Sequence, residues 1–249
     1  MPAAPLVRVI AQLRFPAILS VEKREFIAPF QEAIRKTYPV LRAEQTQGFV
    51  LGPQGLSPAP TERVWRFNDV DGMWRVSLAP EFVALETTNY SSRDDFLKRF
   101  AATVQALQQH FDPKTMDRIG VRYIDRVTGL AFSEIGRLVR PEVLGILGSP
   151  AARHARHTLS ESLFEVPGVG AELQARWGTM PAGGSMDPAA IEPIDEPSWI
   201  LDLDMFRNAS VPFDPEQILD DTRTFTERLY TFFRWAVTSD FLAHYGGKV

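Results

Sequence analysis

The chain contains no cysteine, and this single absence removes disulfides, thiolate nucleophiles, iron–sulfur clusters and cysteine-based zinc sites together. It also has no excess of positive charge. Its 27 Lys and Arg against 31 Asp and Glu leave a formal net charge of −4, which disfavours nucleic acid as a general partner, because that affinity rests on clustered cations. The apolar stretch from Met1 to Pro16 is interrupted by Arg8 and Arg14, so it reads neither as a signal-peptide core nor as a membrane span. A cytoplasmic location with no membrane partner is the expectation. No Gly-x-Gly-x-x-Gly turn, Gly-x-x-x-x-Gly-Lys-Ser/Thr loop or Gly-x-Ser-x-Gly elbow occurs, so no nucleotide cofactor and no catalytic residue is assigned.

What is present is enough for a large core. With 249 residues, 45% of them hydrophobic, the chain is long enough to bury most of its potential surface as one domain or two closely packed halves. Charge is unevenly spread. Residues 1–50 hold seven basic and four acidic side chains, and residues 195–240 hold four basic and ten acidic ones. A solvated surface is the plain reading, and a patch for a partner is the functional one.

Leu6 to Phe15 is rich in apolar and β-branched residues and stops at Pro16, as a strand does. Helical spacing follows over Glu22 to Lys36, with Pro29 expected to kink the helix or mark its start. A short strand at Gly48 to Leu51 leads into a Gly- and Pro-rich loop spanning Gly52 to Pro60. Val64–Phe67, Trp74–Leu78 and Phe82–Thr87 read as a meander. Phe96, Phe100, Val104, Leu107 and Phe111 then repeat at helical spacing behind a cap at Ser91 or Ser92.

The scheme begins again at Arg118 to Val127, a long strand, followed by short helices in Ser133 to Leu147 broken at Pro141. Strands are expected at 157–166, 171–178 and 198–205. The last helix is the clearest in the chain: Asp214 caps it, Pro215 opens it, and Ile218, Thr222, Phe225, Leu229 and Phe232 line one face. An α+β fold is therefore expected, with two β-α-β-β-β-α units at 1–114 and 115–249 that form antiparallel sheet or sheets with long helices on one face. One curved sheet with a saddle and two side-by-side sheets are both compatible with this order. Pro181 to Glu196 reads as an exposed loop in the second half.

Three constellations could carry chemistry. Alternation along one strand places Arg118, Arg122 and Arg126 on one face and Asp125 on the other. Three guanidiniums in a row suit a phosphate or carboxylate, whereas a structural row would pair with acids on neighbouring strands. Asp202 and Asp204 share a face of the strand Ile200 to Phe206. They suit a hard cation or acid–base work, or, if that strand lies beside the arginine row, a neutralising ion-pair network, which is the favoured reading. Arg153-His-Ala-Arg-His157 holds two histidines at ligand spacing without a nearby acid, so a polar surface turn is read there and no metal is assigned.

The stretch Phe82 to Ser91, the motif Arg118-Ile-Gly-Val-Arg-Tyr-Ile-Asp-Arg126, the N-terminal Leu-Arg-Phe-Pro16, the strand Trp199 to Asp204 and the segment Phe233 to Asp240 together resemble a bacterial family characterised only by its sporadic distribution. Its strand motif is Leu-Arg-Tyr-Ile-Asn-Arg-like; Val121 and Asp125 are variants here. The resemblance spans nearly the whole chain and transfers no activity. Its patchy distribution implies strain-variable genes of the defence or toxin–antitoxin kind. The expected function is a non-enzymatic binding or adaptor protein whose partner is another protein of the same locus. The alternative is an enzyme or receptor for a small phosphorylated or carboxylated ligand at Arg122, Arg126, Asp202 and Asp204. Nucleic-acid binding on a saddle-like sheet is the weaker third reading.

Overall fold

The computed structural model describes residues 1, 3–46, 49–52, 55–58 and 62–247. Strand β1 (Leu6–Arg14) buries Val9, Ala11 and Leu13 by simple alternation. Helix α1 (Arg24–Ile34) buries Ile27, Phe30 and Ile34 and carries Pro29 inside it, so the proline does not mark its start. Then come β2 (Val40–Thr46), β3 (Phe49–Gly52), β4 (Gly55–Pro58), β5 (Glu62–Asn68), β6 (Trp74–Ala79) and β7 (Phe82–Thr87). Helix α2 (Arg93–Phe111) follows, with the Ser92 hydroxyl accepting from the Asp95 amide and Asp112 turning left-handed at its end.

After α2 come β8 (Thr115–Val127), the short helices α3 (Gly129–Ser133), α4 (Ile135–Leu138) and α5 (Pro141–Leu144), and β9 (Ser160–Val166), β10 (Ala171–Met180) and β11 (Ser198–Pro212). The chain ends in α6 (Pro215–Ala236) and α7 (Ser239–His244). Pro141 opens α5 at a position where its missing N–H costs nothing. Asp214 caps α6 through the amides of Glu216 and Gln217.

The fold is α+β. Among the described residues, nine strands form one antiparallel sheet in the order β2-β5-β6-β7-β1-β8-β11-β10-β9, and β3 pairs with β4 in a separate hairpin. The runs β5-β6-β7-β1 and β9-β10-β11-β8 follow one scheme, three successive strands and then a strand that precedes them in sequence. The likeness is one of strand order. β2 and the β3–β4 hairpin have no counterpart among the described residues after Thr115.

One strand lies where the sequence offered no reading, and one reading is corrected. Val40–Thr46 is a strand because β5 supplies its ladder, with Leu41 opposite Phe67 and Ala43 opposite Trp65, despite only one strongly strand-forming residue at each end. Within the expected loop at 52–60, Gly55–Pro58 is β4, while residues 53, 54, 59 and 60 lie outside the described residues.

By compactness the chain forms two units, Met1–Val9 with Gly120–Arg207 and Arg223–Val249, and Ile10–Ile119 with Asn208–Thr222. In the second, Phe30 meets Phe67 and Phe111 at 5.5 and 5.9 Å between ring centroids, and Phe96, Phe100, Val104 and Leu107 are fully buried. In the first, Leu201, Leu203 and Met205 of β11 are fully buried, as are Phe225 and Leu229 of α6. The short helices there are tied to the C-terminal segment. Arg140 donates its amide to the Ala236 carbonyl, and Val139 pairs with Val237 in an isolated bridge.

Candidate functional site

Alternation along β8 sets Arg122 and Arg126 on the face opposite Val121, Tyr123 and Asp125. In β11 the same rule separates Asp202 from the buried Leu201 and Leu203. The ladder between β10 and β11 puts Arg176 directly opposite Asp202. One buried carboxylate therefore sits between two guanidiniums. Arg122 donates from Nε to Asp202 Oδ1 at 2.7 Å and from NH2 to Oδ2 at 2.8 Å, and Arg176 NH2 reaches Oδ2 at 2.5 Å. Asp202 is completely buried.

The third nitrogen of Arg122 is also committed, donating to Asp187 Oδ2 at 2.7 Å. Burial opposes ionisation of Arg122, but the hydrogen bonds and charges of Asp202 and then Asp187 outweigh it and raise its pKa. For Asp187, burial alone would raise the pKa; the bond and charge of Arg122, with help from the Ala190 amide and Arg176, lower it.

Asp187 belongs to the segment expected to be an exposed loop, and 181–196 is a loop without helix or strand, with most of its residues exposed. Ile191 and Ala190 are buried, and the segment is held down by arginines. Arg8 donates to the Ala189 carbonyl at 3.2 Å and to Glu192 at 3.4 Å, and Arg126 NH2 donates to the Glu192 carbonyl at 2.6 Å. Burial pulls the Arg126 pKa below its ordinary value; Glu192 opposes this and the neighbouring Arg8 adds to it. The face that alternation offered to an anionic ligand is thus occupied by the chain's own carboxylate and carbonyls.

Arg118 belongs to the second unit and, with Arg14, Glu81 and Asn208, lines a cavity of about 370 Å³. Asp204 stands opposite Gln174, not Arg176. Asp125 is buried on the opposite face of β8, and burial pushes its pKa up to about 7. His154 and His157 are exposed, and His154 accepts a hydrogen bond from Arg153. Among the described residues no group of three His, Asp or Glu side chains is placed to hold a metal ion.

A different surface feature stands out in the same unit. Among the described residues β9 is the last strand of the sheet and pairs with β10 alone, so half of its backbone groups face outward. Leu163 is 59% exposed on one of its faces. On the other, the partly exposed Phe164 meets Phe232 at 5.6 Å, and Phe232 meets the 41% exposed Trp235 at 5.2 Å. These residues form an apolar fringe beside an open ladder.

The sequence reading identified the Arg122 and Asp202 pair but not Arg176, Asp187, Arg8 or Glu192. Arg176 alternates with the buried Leu173 and Ala175, a signal of its face but not of its partner. Nothing near Asp187 in sequence announces an arginine 65 residues away. For β9, the run Ser-Glu-Ser-Leu-Phe-Glu-Val, polar at four of seven positions, was the available sign of an outermost strand.

Compared with known proteins, the chain matches no family model and no curated protein.

Proposed function

We propose that the chain is a non-enzymatic binding or adaptor protein that works within a protein complex and engages its partner along the β9 edge. The observation that carries this reading is the open edge of β9 flanked by Leu163, Phe164, Phe232 and Trp235. Exposed large apolar groups gain from removal of water and unpaired strand backbone gains hydrogen bonds from an added strand, so the two together suit a protein partner. The guanidiniums of Arg122 and Arg176 are used to hold Asp202 and Asp187, which favours binding over anion chemistry at that cluster.

The resemblance in the motif from Arg118 to Arg126 adds the setting: a cytoplasmic protein of a strain-variable bacterial locus, acting with a product of the same locus. No helix among the described residues is long and apolar enough to cross a membrane, which agrees with that setting without deciding it.

The test is affinity capture of the tagged chain expressed in its own host, beside a Phe164→Ser, Trp235→Ser double variant. A stoichiometric partner recovered by the wild type and lost from the folded variant is the expected result. A monodisperse wild type that captures nothing and turns over a metabolite overturns the proposal.

A further inference from the structure

The partner chemistry follows from charge at the same edge, an inference that rests on the binding reading above. In the ladder between β9 and β10, Glu165 stands directly opposite Glu172 and Glu161 opposite Arg176, with Leu163 opposite Gln174 between them. Arg176 is already committed to Asp202. Glu161 and Glu165 are exposed, and among the described residues no ion pair reaches either of them. Like charges directly across a ladder repel each other, so Glu165 and Glu172 leave a local negative potential beside the open backbone of β9.

The alternation of β9 then defines what the edge fits. One face presents Glu161, Leu163 and Glu165 in turn, and the other presents Ser162 and Phe164, with Phe232 and Trp235 forming a shelf beyond it. A strand added outside β9 would set its own side chains opposite these, two faces at a time. We infer that the occupant is an extended segment of a partner protein reading basic, apolar, basic on one face and apolar on the other, added to β9 as a tenth strand of the sheet.

A second copy of this chain fits less well. Two β9 strands paired antiparallel about Leu163 would set Glu161 of each against Glu165 of the other, doubling the repulsion instead of relieving it. A basic segment places a cation against each glutamate and relieves the contact between Glu165 and Glu172.

The experiment uses the full chain and three fluorescent seven-residue peptides matched in length to β9. The first carries lysine, valine, lysine on one face and valine on the other; the second has glutamate for lysine; the third is the first with alternate backbone nitrogens methylated. Anisotropy at low ionic strength should show the lysine peptide binding at least tenfold more tightly than either of the others. In Glu161→Lys, Glu165→Lys the preference should reverse, with the glutamate peptide favoured.

Equal binding of the methylated peptide would overturn strand addition. Binding that ignores the charge reversal would overturn the basic partner and leave the two glutamates as guards against edge-to-edge association. A concentration-dependent dimer lost on Leu163→Pro would assign the edge to a second copy and overturn the inference. Charge-indifferent peptides together with a captured host partner that needs Phe164 and Trp235 would sink this inference alone. A bound lysine peptide with no captured partner would sink the adaptor reading alone.

Discussion

The Asp202 carboxylate receives two parallel hydrogen bonds from Arg122, one to each oxygen, in a fully buried setting. This is the fork geometry that guanidinium shares with carboxylate, and it sets what removal of either partner does.

Arg122→Met should destabilise the protein by about 3 kcal/mol, because Asp202 then keeps only Arg176 against the cost of its burial. Asp202→Leu together with Arg122→Met should recover much of the loss, since a buried pair replaced by apolar groups of similar volume leaves no stranded charge. Denaturant unfolding of the two variants checks this. A double variant less stable than Arg122→Met alone would contradict it.

Asp187→Ala should act locally. Its carboxylate is part-exposed and binds one nitrogen of Arg122, while Arg8 and Arg126 continue to hold residues 189–192. The expected outcome is faster amide exchange and earlier proteolytic cleavage within 181–197, with a fall in overall stability of about 1 kcal/mol or less.

Asp125 predicts a pH effect of unusual sign. Burial pushes its pKa up to about 7 from an ordinary 3.8, so the folded state holds the proton after the unfolded state has released it. Its contribution is fully present below about pH 4 and is lost as pH rises to about 7. Asp125→Asn should remove that slope and exceed the wild type in stability at pH 8, by an amount on the order of a few kcal/mol. Unfolding curves from pH 4.5 to 8 decide it. Tyr245 supplies a second readout: its pKa is raised by burial and by the Asp125 charge, so its ultraviolet titration should move down in the variant.

Gly178→Ala should detach the start of β9. Gly178 has φ +155, and an added Cβ would lie well inside contact distance of the Thr158 carbonyl. Thr158 is fastened there by its amide to the Thr179 carbonyl and by its hydroxyl to the Thr179 amide. Backbone cannot give way as a flexible side chain would, so the expected result is loss of exchange protection over 158–166 and a cost of about 1–3 kcal/mol. Unchanged protection there would refute the close-approach argument.

Local structure was largely legible because its causes are local. The Ser92 cap, the spacing from Phe96 to Phe111 and the Asp214-Pro215 start of α6 depend on residues within a few positions of one another. Alternation likewise separated Arg122 from Asp125, and composition made Asp202 a natural partner for an arginine. β2 was not legible, because Val40–Thr46 owes its conformation to β5, whose ladder supplies hydrogen bonds that its own side chains do not announce.

The amino-acid sequence by itself determined the α+β class, the absence of thiol chemistry, the course of α2, the start of α6 and the opposite faces of Arg122 and Asp125. Tertiary structure alone decided which charges meet. Only the folded chain brings Asp187 to Arg122, ties the exposed loop at 181–196 to three arginines, and leaves Glu165 opposite Glu172 at the end of the sheet. The physical reason is range. Periodicity and capping act over one or two turns of chain, whereas ion pairing and strand order join residues tens of positions apart, at a free-energy difference that no single segment encodes.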